Sequence, residues 1–241
     1  MNREGLPPVM NEDMLREAVE WAIATRRSVR AFLPTEVPRE KIEEILDVAR
    51  FAATGVNLQP WRVHVVTGSA KDRLCSAIRE VDDNPALAAQ HQDEWEYYPT
   101  EWRSPYIDRR RDVGWNLYGL LGIEKGDKAR MHAQHGRNYS FFGAPVGLLF
   151  TIDRVMQQGS LLDYGMFMQN IMVAARAHGL STCPQAAFMK YHKIIAAELG
   201  FAPDEKFVVG MSLGHADPEK IENTLVTKRD GVASFAKFYS K

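Results

Sequence analysis

Cysteine is scarce in this chain: Cys75 and Cys183 are the only two in 241 residues, and they show no metal-ligand spacing. A pair this sparse fits free thiols in a reducing compartment better than a disulfide framework. Charge of one sign is also lacking, since the formal net charge is −1. No global field therefore draws the protein to nucleic acid or to an anionic membrane, and any anion site must be local. No long hydrophobic run is present. The longest, residues 141–152, is broken by Gly143 and Pro145 and falls short of the ~20 residues a spanning helix needs. Residues 1–12 are polar and acidic, carry two prolines and have no apolar h-region, which argues against a secretory signal and for the cytoplasm. No internal repeat occurs, and no cluster of His, Cys and carboxylate residues has ligand spacing. His132, His135 and His215 have no partner that the sequence names, and they read as surface or structural residues.

What remains is ordinary globular composition, 45% hydrophobic and 25% charged, enough for a sizeable core. Leu15, Ala18, Val19, Ala22 and Ile23 recur at helical spacing and predict a helix over 12–25, with Asn11 as its N-cap. Ile42, Ile45, Leu46, Ala49 and Ala52 predict a second helix over 38–53, with Pro38 in its first turn. Further helices are expected over 69–79, 108–122, 127–140, 161–178 and 190–199, and strands over 62–67, 145–152 and 206–213. Gly179 suits the position just past a helix end. Strands separated by helices indicate a layered α/β or α+β fold. Residues 81–108 have no clean period but hold Trp95, Tyr97, Tyr98, Trp102 and Tyr106 among acidic residues. A long irregular stretch of this kind reads as a lid or excursion.

Four short segments carry chemistry. Arg26-Arg27-Ser28-Val29-Arg30 places three guanidiniums and a hydroxyl within five residues, a donor set suited to a phosphate dianion. Basic residues after a helix are also commonly just solvated. Thr54-Gly55-Val56-Asn57-Leu58-Gln59-Pro60-Trp61 is a turn between helix and strand. Gly179-Leu180-Ser181-Thr182-Cys183-Pro184-Gln185-Ala186 follows the most apolar helix. Thr227-Lys228-Arg229 lies in the polar tail, residues 217–241. Each taken alone also fits ordinary turn or tail chemistry.

Taken in this order, the segments resemble the nitroreductase family of FMN-dependent flavoenzymes, over roughly residues 15–240. Arg110-Arg111-Asp112-Val113-Gly114-Trp115, Phe142-Gly143-Ala144-Pro145-Val146-Gly147 and Thr182-Cys183-Pro184-Gln185 look like the branch that includes nitrobenzoate reductases. The resemblance implies an α+β fold of three layers, α/β/α, around a central mixed and mainly antiparallel sheet. It implies one FMN-binding domain over residues 1–241 with a lid-like excursion at about 81–111, and a homodimer with exchanged C-terminal tails. It further implies that Arg26, Arg27 and Ser28 hold the flavin phosphate and ribityl end. Arg30 would also lie near the N1–O2 edge of the ring, where positive charge stabilises reduced flavin. Thr54 and Asn57 match a turn that contacts flavin across the dimer interface. Pro184, Gln185 and Ala186 match the backbone beside the ring, and Arg229 with Thr227 matches a phosphate contact from the tail. Val56, Arg103, Tyr106 and Arg110 are candidate substrate contacts. The implied activity is two-electron, ping-pong transfer from NAD(P)H to a nitroaromatic, nitrobenzoate-like or quinone-like acceptor. Chemistry would occur at flavin N5, with no catalytic side chain and no metal. Reductive dehalogenation, FMN fragmentation and a flavin-binding module without turnover remain open alternatives.

Overall fold

Every position of 146–152 is buried, which requires that helices cover both faces of the strand it forms. The computed structural model describes residues 11–240. The reading of the N-terminal segment thus lies almost wholly outside the described residues. In chain order the elements are α1 (Glu12–Thr25), α2 (Arg39–Ala49), β1 (Trp61–Thr67), α3 (Gly68–Asp82), α4 (Pro85–Ala88), α5 (Tyr106–Leu120), α6 (Lys128–Gly136), β2 (Val146–Asp153), α7 (Gln158–Ala177), β3 (Ser181–Gln185), α8 (His192–Leu199) and β4 (Glu205–Gly214). The four strands form one sheet in the order β1-β2-β4-β3, with every neighbouring pair antiparallel. A single parallel bridge, Ser28 to Thr182, extends it at the β3 edge.

Period-two alternation along β2 sends Val146, Leu148, Phe150 and Ile152 to one face, where α2 and α7 cover them. Leu149 points to the other face, onto a core built with α3, α8, Phe141 and Phe188. The result is the expected α/β/α sandwich. Asn11 caps α1 by accepting the Met14 N–H at 2.8 Å. Gly179 takes the left-handed conformation, φ 69°, just past α7.

Several boundaries differ from the sequence reading. Helix α2 ends at Ala49, and Pro38 is its cap rather than its first residue. Helix α6 stops at Gly136, and residues 137–143 form a 3₁₀ segment with Phe141 and Phe142 at φ 51° and 53°. Left-handed backbone at phenylalanine breaks α-helical hydrogen bonding. The strand β3 has no strand signal in the sequence. Its one full strand partner is β4, and the bridge to Ser28 lies at Thr182, so Pro184, which lacks a donor, is tolerated at this edge.

The Phe141 turn is held by a missing side chain. A Cβ at Gly147 on β2 would come within 2.4 Å of the Phe141 ring, which is fully buried. Gly147→Ala is therefore expected to destabilise the fold by about 1–3 kcal/mol through overpacking. Chemical denaturation with an unchanged midpoint would contradict that. The next residue in the turn, Phe142, lines the cavity described below.

Candidate functional site

Residues 28–33 run as a laced strip between β3 and the segment after β4. The Val29 N–H donates to Thr182 O at 3.1 Å, Phe32 to Phe142 O at 3.2 Å, and Leu33 to His215 O at 2.9 Å. The Arg30 N–H donates to Asn223 Oδ1 at 2.9 Å, while Asn223 Nδ2 donates to the carbonyls of Ala31 (2.8 Å) and Asp217 (2.9 Å). This lacing fixes the backbone at Arg30, just after Arg26 and Arg27.

The three arginines open onto a cavity of about 690 Å³ lined by Arg26, Arg27, Ser28, Arg30, Arg176, Thr227 and Arg229 among others. Arg229 is steadied by its own segment, donating to Thr227 Oγ1 at 2.6 Å and Lys228 O at 2.9 Å. Among the described residues, no carboxylate lies within ion-pair distance of Arg26, Arg27, Arg30, Arg176 or Arg229. Arg176 Nε is buried without a hydrogen-bond partner. Burial, and then the like charge of Arg229, hold Arg26 below the ordinary guanidinium range. A cradle of uncompensated guanidiniums flanked by the hydroxyls of Ser28 and Thr227 suits a phosphate. The donors therefore fit the phosphate end of the flavin nucleotide that the sequence implies.

Arg30 is shared with a second cavity, of about 430 Å³. One wall is Pro184, Gln185, Ala186 and Ala187; others come from Asn138, Tyr139, Phe142, Leu117, Tyr118, Gln134, His135 and Lys190. The Gln185 side chain does not reach into the open space. Its Nε2 donates to Asn138 O at 2.8 Å and its Oε1 accepts from Ser212 Oγ at 2.6 Å, which pins the backbone of this wall. Burial pushes the Cys183 thiol up to about 11 despite Arg30 and Arg26 nearby, so it is no nucleophile near neutrality. Burial, first among its causes, also holds His135 below its ordinary value, which keeps that imidazole neutral near pH 7.

Tyr97 and Tyr98 line the same cavity from the excursion. Its root is fixed. Glu94 accepts the Phe207 N–H at 2.8 Å and pairs with Arg154 (2.7 Å) and His192 (3.3 Å). Trp95 packs on both hydrophobic cores. From Trp95 an aromatic chain continues through Tyr97, Tyr98 and Trp102 at centroid spacings of 5.6, 4.7 and 5.8 Å.

The structure gathers Arg26, Arg27, Ser28, Arg30, Thr227 and Arg229 in one cavity and Pro184, Gln185 and Ala186 in the adjoining one. It does not bring the remaining candidates to either. Arg110 lies over Trp102 at 4.6 Å, Tyr106 is half-exposed beneath Arg109, and Arg109 pairs with Asp230. Arg103 is exposed. Thr54, Val56 and Asn57 sit at a 3₁₀ turn tied to α7 by the Gly55 N–H donating to Asp163 Oδ2 at 3.2 Å. Val56 is 93% exposed there.

Asn223, Arg176, His135 and Lys190 were invisible as site residues in the sequence, because each arrives from a distant element with no motif of its own. His132 does have partners, Asp83 at 3.4 Å and Asp82 at 3.8 Å. These three side chains lie close enough together to hold a cation. Arg79, however, forks onto both Asp83 oxygens at 2.9 and 3.0 Å, so the group reads as an ion-pair network tying α3 to α6.

An arginine-lined cavity and a second one walled by residues 184–187, sharing Arg30 on this α/β/α sandwich, make an arrangement of the kind a flavoprotein would use. The chain belongs to the nitroreductase family, whose profile it matches over residues 23–215. It is 40% identical over 225 residues to the 4-nitrobenzoate reductase of Pseudomonas putida, covering 93% of this chain and 97% of that protein. The crystal structure of the FMN and NADPH-dependent nitroreductase NfnB from sphigopyxis sp. strain HMH superposes with a TM-score of 0.88 at 36% identity, covering 92% and 99% of the two chains. The FMN-dependent nitroreductase NfnB from Mycobacterium smegmatis, in complex with NADPH, does so with 0.88 at 31% identity, covering 94% and 100%.

Proposed function

We propose that the protein is an FMN-dependent oxidoreductase that uses NAD(P)H to reduce nitroaromatic acceptors, with quinone-like acceptors as a second class. The observation that carries this is that two separate cavities share Arg30 in their linings. A flavin mononucleotide has a dianionic phosphate at one end and a flat ring at the other, and the pair of cavities offers both environments in that order. FMN, when bound, supplies the two-electron chemistry. The chain supplies the rest. Arg26, Arg27 and Arg229 neutralise phosphate charge, and Ser28 and Thr227 add hydroxyl donors. Arg30 places positive charge at the junction. The pinned backbone of 184–186 gives a rigid wall for a planar group, and Tyr97 and Tyr98 exclude water from the opposite side. One cavity serves donor and acceptor in turn, which is the ping-pong order.

The reading includes a homodimer. Thr54, Val56 and Asn57 line neither cavity of their own chain, so contact with flavin would come from a second copy. Exposed apolar side chains support this: Val19, Trp21 and Ile23 on α1, Val48 and Phe51 at the end of α2, and Phe235, Phe238 and Tyr239 in the tail. Among the described residues no helix is long and apolar enough to cross a membrane. Both cysteines are free, which fits the cytoplasm.

The test is spectroscopic. The purified protein is expected to carry a yellow flavin that bleaches on anaerobic addition of NADPH and recovers its colour on addition of a nitroarene. A yellow protein that does not bleach would sink the reductase reading and leave a binding module. Bleaching with recovery only by haloarenes or oxygen would point to the dehalogenating or flavin-fragmenting chemistries instead.

A further inference from the structure

We propose that Lys190 is the specificity-determining cation of the second cavity and selects acceptors that carry a carboxylate. This rests on the reading of that cavity as the acceptor site. The arginines of the excursion stand elsewhere in the fold: Arg109 pairs with Asp230, and Arg110 lies over Trp102. None of Arg103, Arg109, Arg110 or Arg111 lines the cavity, whereas Lys190 does.

Lys190 is placed on a rigid support. It belongs to the 3₁₀ turn Ala186–Tyr191 that continues directly from the Pro184–Gln185 wall. Its Nζ lies 5.1 Å from the centroid of the Tyr191 ring. That ring is fully buried and is fixed by its hydroxyl, which donates to Asp82 Oδ1 at 2.7 Å. Among the described residues Lys190 has no carboxylate within ion-pair distance. The other basic groups of the cavity do not compete for an acceptor. Arg30 belongs equally to the phosphate cradle, and His135 is kept neutral by burial. Asp93, the acidic residue of the lining, is exposed at the rim. An aromatic acid entering between the 184–186 wall and Tyr97 and Tyr98 therefore meets one ammonium that rests on an aromatic ring and has no carboxylate partner. A compact, rotatable three-donor head suits a carboxylate whose approach angle varies with the substitution pattern of the ring.

The experiment compares Lys190→Gln and Lys190→Arg with the wild-type holoenzyme on 4-nitrobenzoate, nitrobenzene and 4-nitrobenzamide. Flavin content is first checked to be equal. Lys190→Gln is expected to lower kcat/KM for 4-nitrobenzoate about tenfold or more, carried by KM, with both neutral nitroarenes within about twofold of wild type. Lys190→Arg, which keeps the charge, is expected to retain most of the preference. A change in the acid-to-neutral ratio of less than about twofold in Lys190→Gln overturns the proposal, as does an equal loss on all three compounds. Benzoate, which cannot be reduced, separates this from the reductase reading. Its dissociation constant, from equilibrium dialysis, is expected to rise about tenfold in Lys190→Gln. If wild type reduced no nitroarene yet bound benzoate through Lys190, the reductase reading would fail and the anion subsite would stand. Unchanged benzoate affinity removes the subsite whatever the turnover.

Discussion

Replacing Arg27 and Arg229 together by alanine is expected to yield protein that loses its flavin on gel filtration. Both side chains line the first cavity, one from each end of the lacing that builds it. A hydrogen bond to a charged group contributes roughly 1.5–3 kcal/mol, so each single substitution should weaken FMN binding by about ten- to a hundredfold. The two effects should not add fully. Both would act on the same phosphate group, and neighbouring contacts to one group are not independent. The decisive comparison is FMN against riboflavin by titration calorimetry. Riboflavin lacks the phosphate, so its affinity should be the same for wild type and the double variant. Flavin retention equal to wild type, or an equal loss for riboflavin, would remove these arginines from the phosphate site.

Ending the chain at Gly231 is expected to convert the proposed dimer to monomer. The truncation keeps Arg229 and the Asp230 partner of Arg109 but deletes Phe235, Phe238 and Tyr239, each at least 74% exposed. Aromatic anchors at interfaces are commonly worth about 2 kcal/mol or more each. Allowing for non-additivity, the dimer dissociation constant should rise on the order of a thousandfold. Sedimentation velocity across a concentration series reads this directly. Flavin affinity should fall in parallel, since Thr54 and Asn57 of a second copy would no longer reach the cavity. A truncated protein that remains dimeric at nanomolar concentration would exclude the tail as the clasp.

The arginine and hydroxyl residues that line the first cavity were legible as candidates because they lie in two short runs whose chemistry is local. The linkage that makes them one site was not. Arg30 meets Asn223 across 193 positions, and no periodicity encodes that meeting. Phe141 and Phe142 adopt left-handed backbone with side chains that give no hint of it, so the sequence reading carried a helix through to residue 140. The excursion was half legible. Its aromatic content marked it as ordered, but Arg103 and Arg110, offered as substrate contacts, line neither cavity, Arg110 lying instead over Trp102. Lys190 is the converse case, an unremarkable lysine in sequence that a 3₁₀ turn carries to the cavity wall.

The separation between the two walls of the cradle also sets an order of events during synthesis. Residues 26–30 leave the ribosome nearly 200 positions before Asn223 is made. Until then the strip lacks the side chain that fixes Arg30, and Arg229 does not yet exist to close the cavity. A chain that stops short of Asn223 holds all four strands but neither the Asn223 contact to Arg30 nor the Arg229 side chain of the cavity. If the cavity holds the flavin phosphate as proposed, chains made through residue 229 would bind the cofactor more tightly than prematurely terminated ones, which would gain less stability from it.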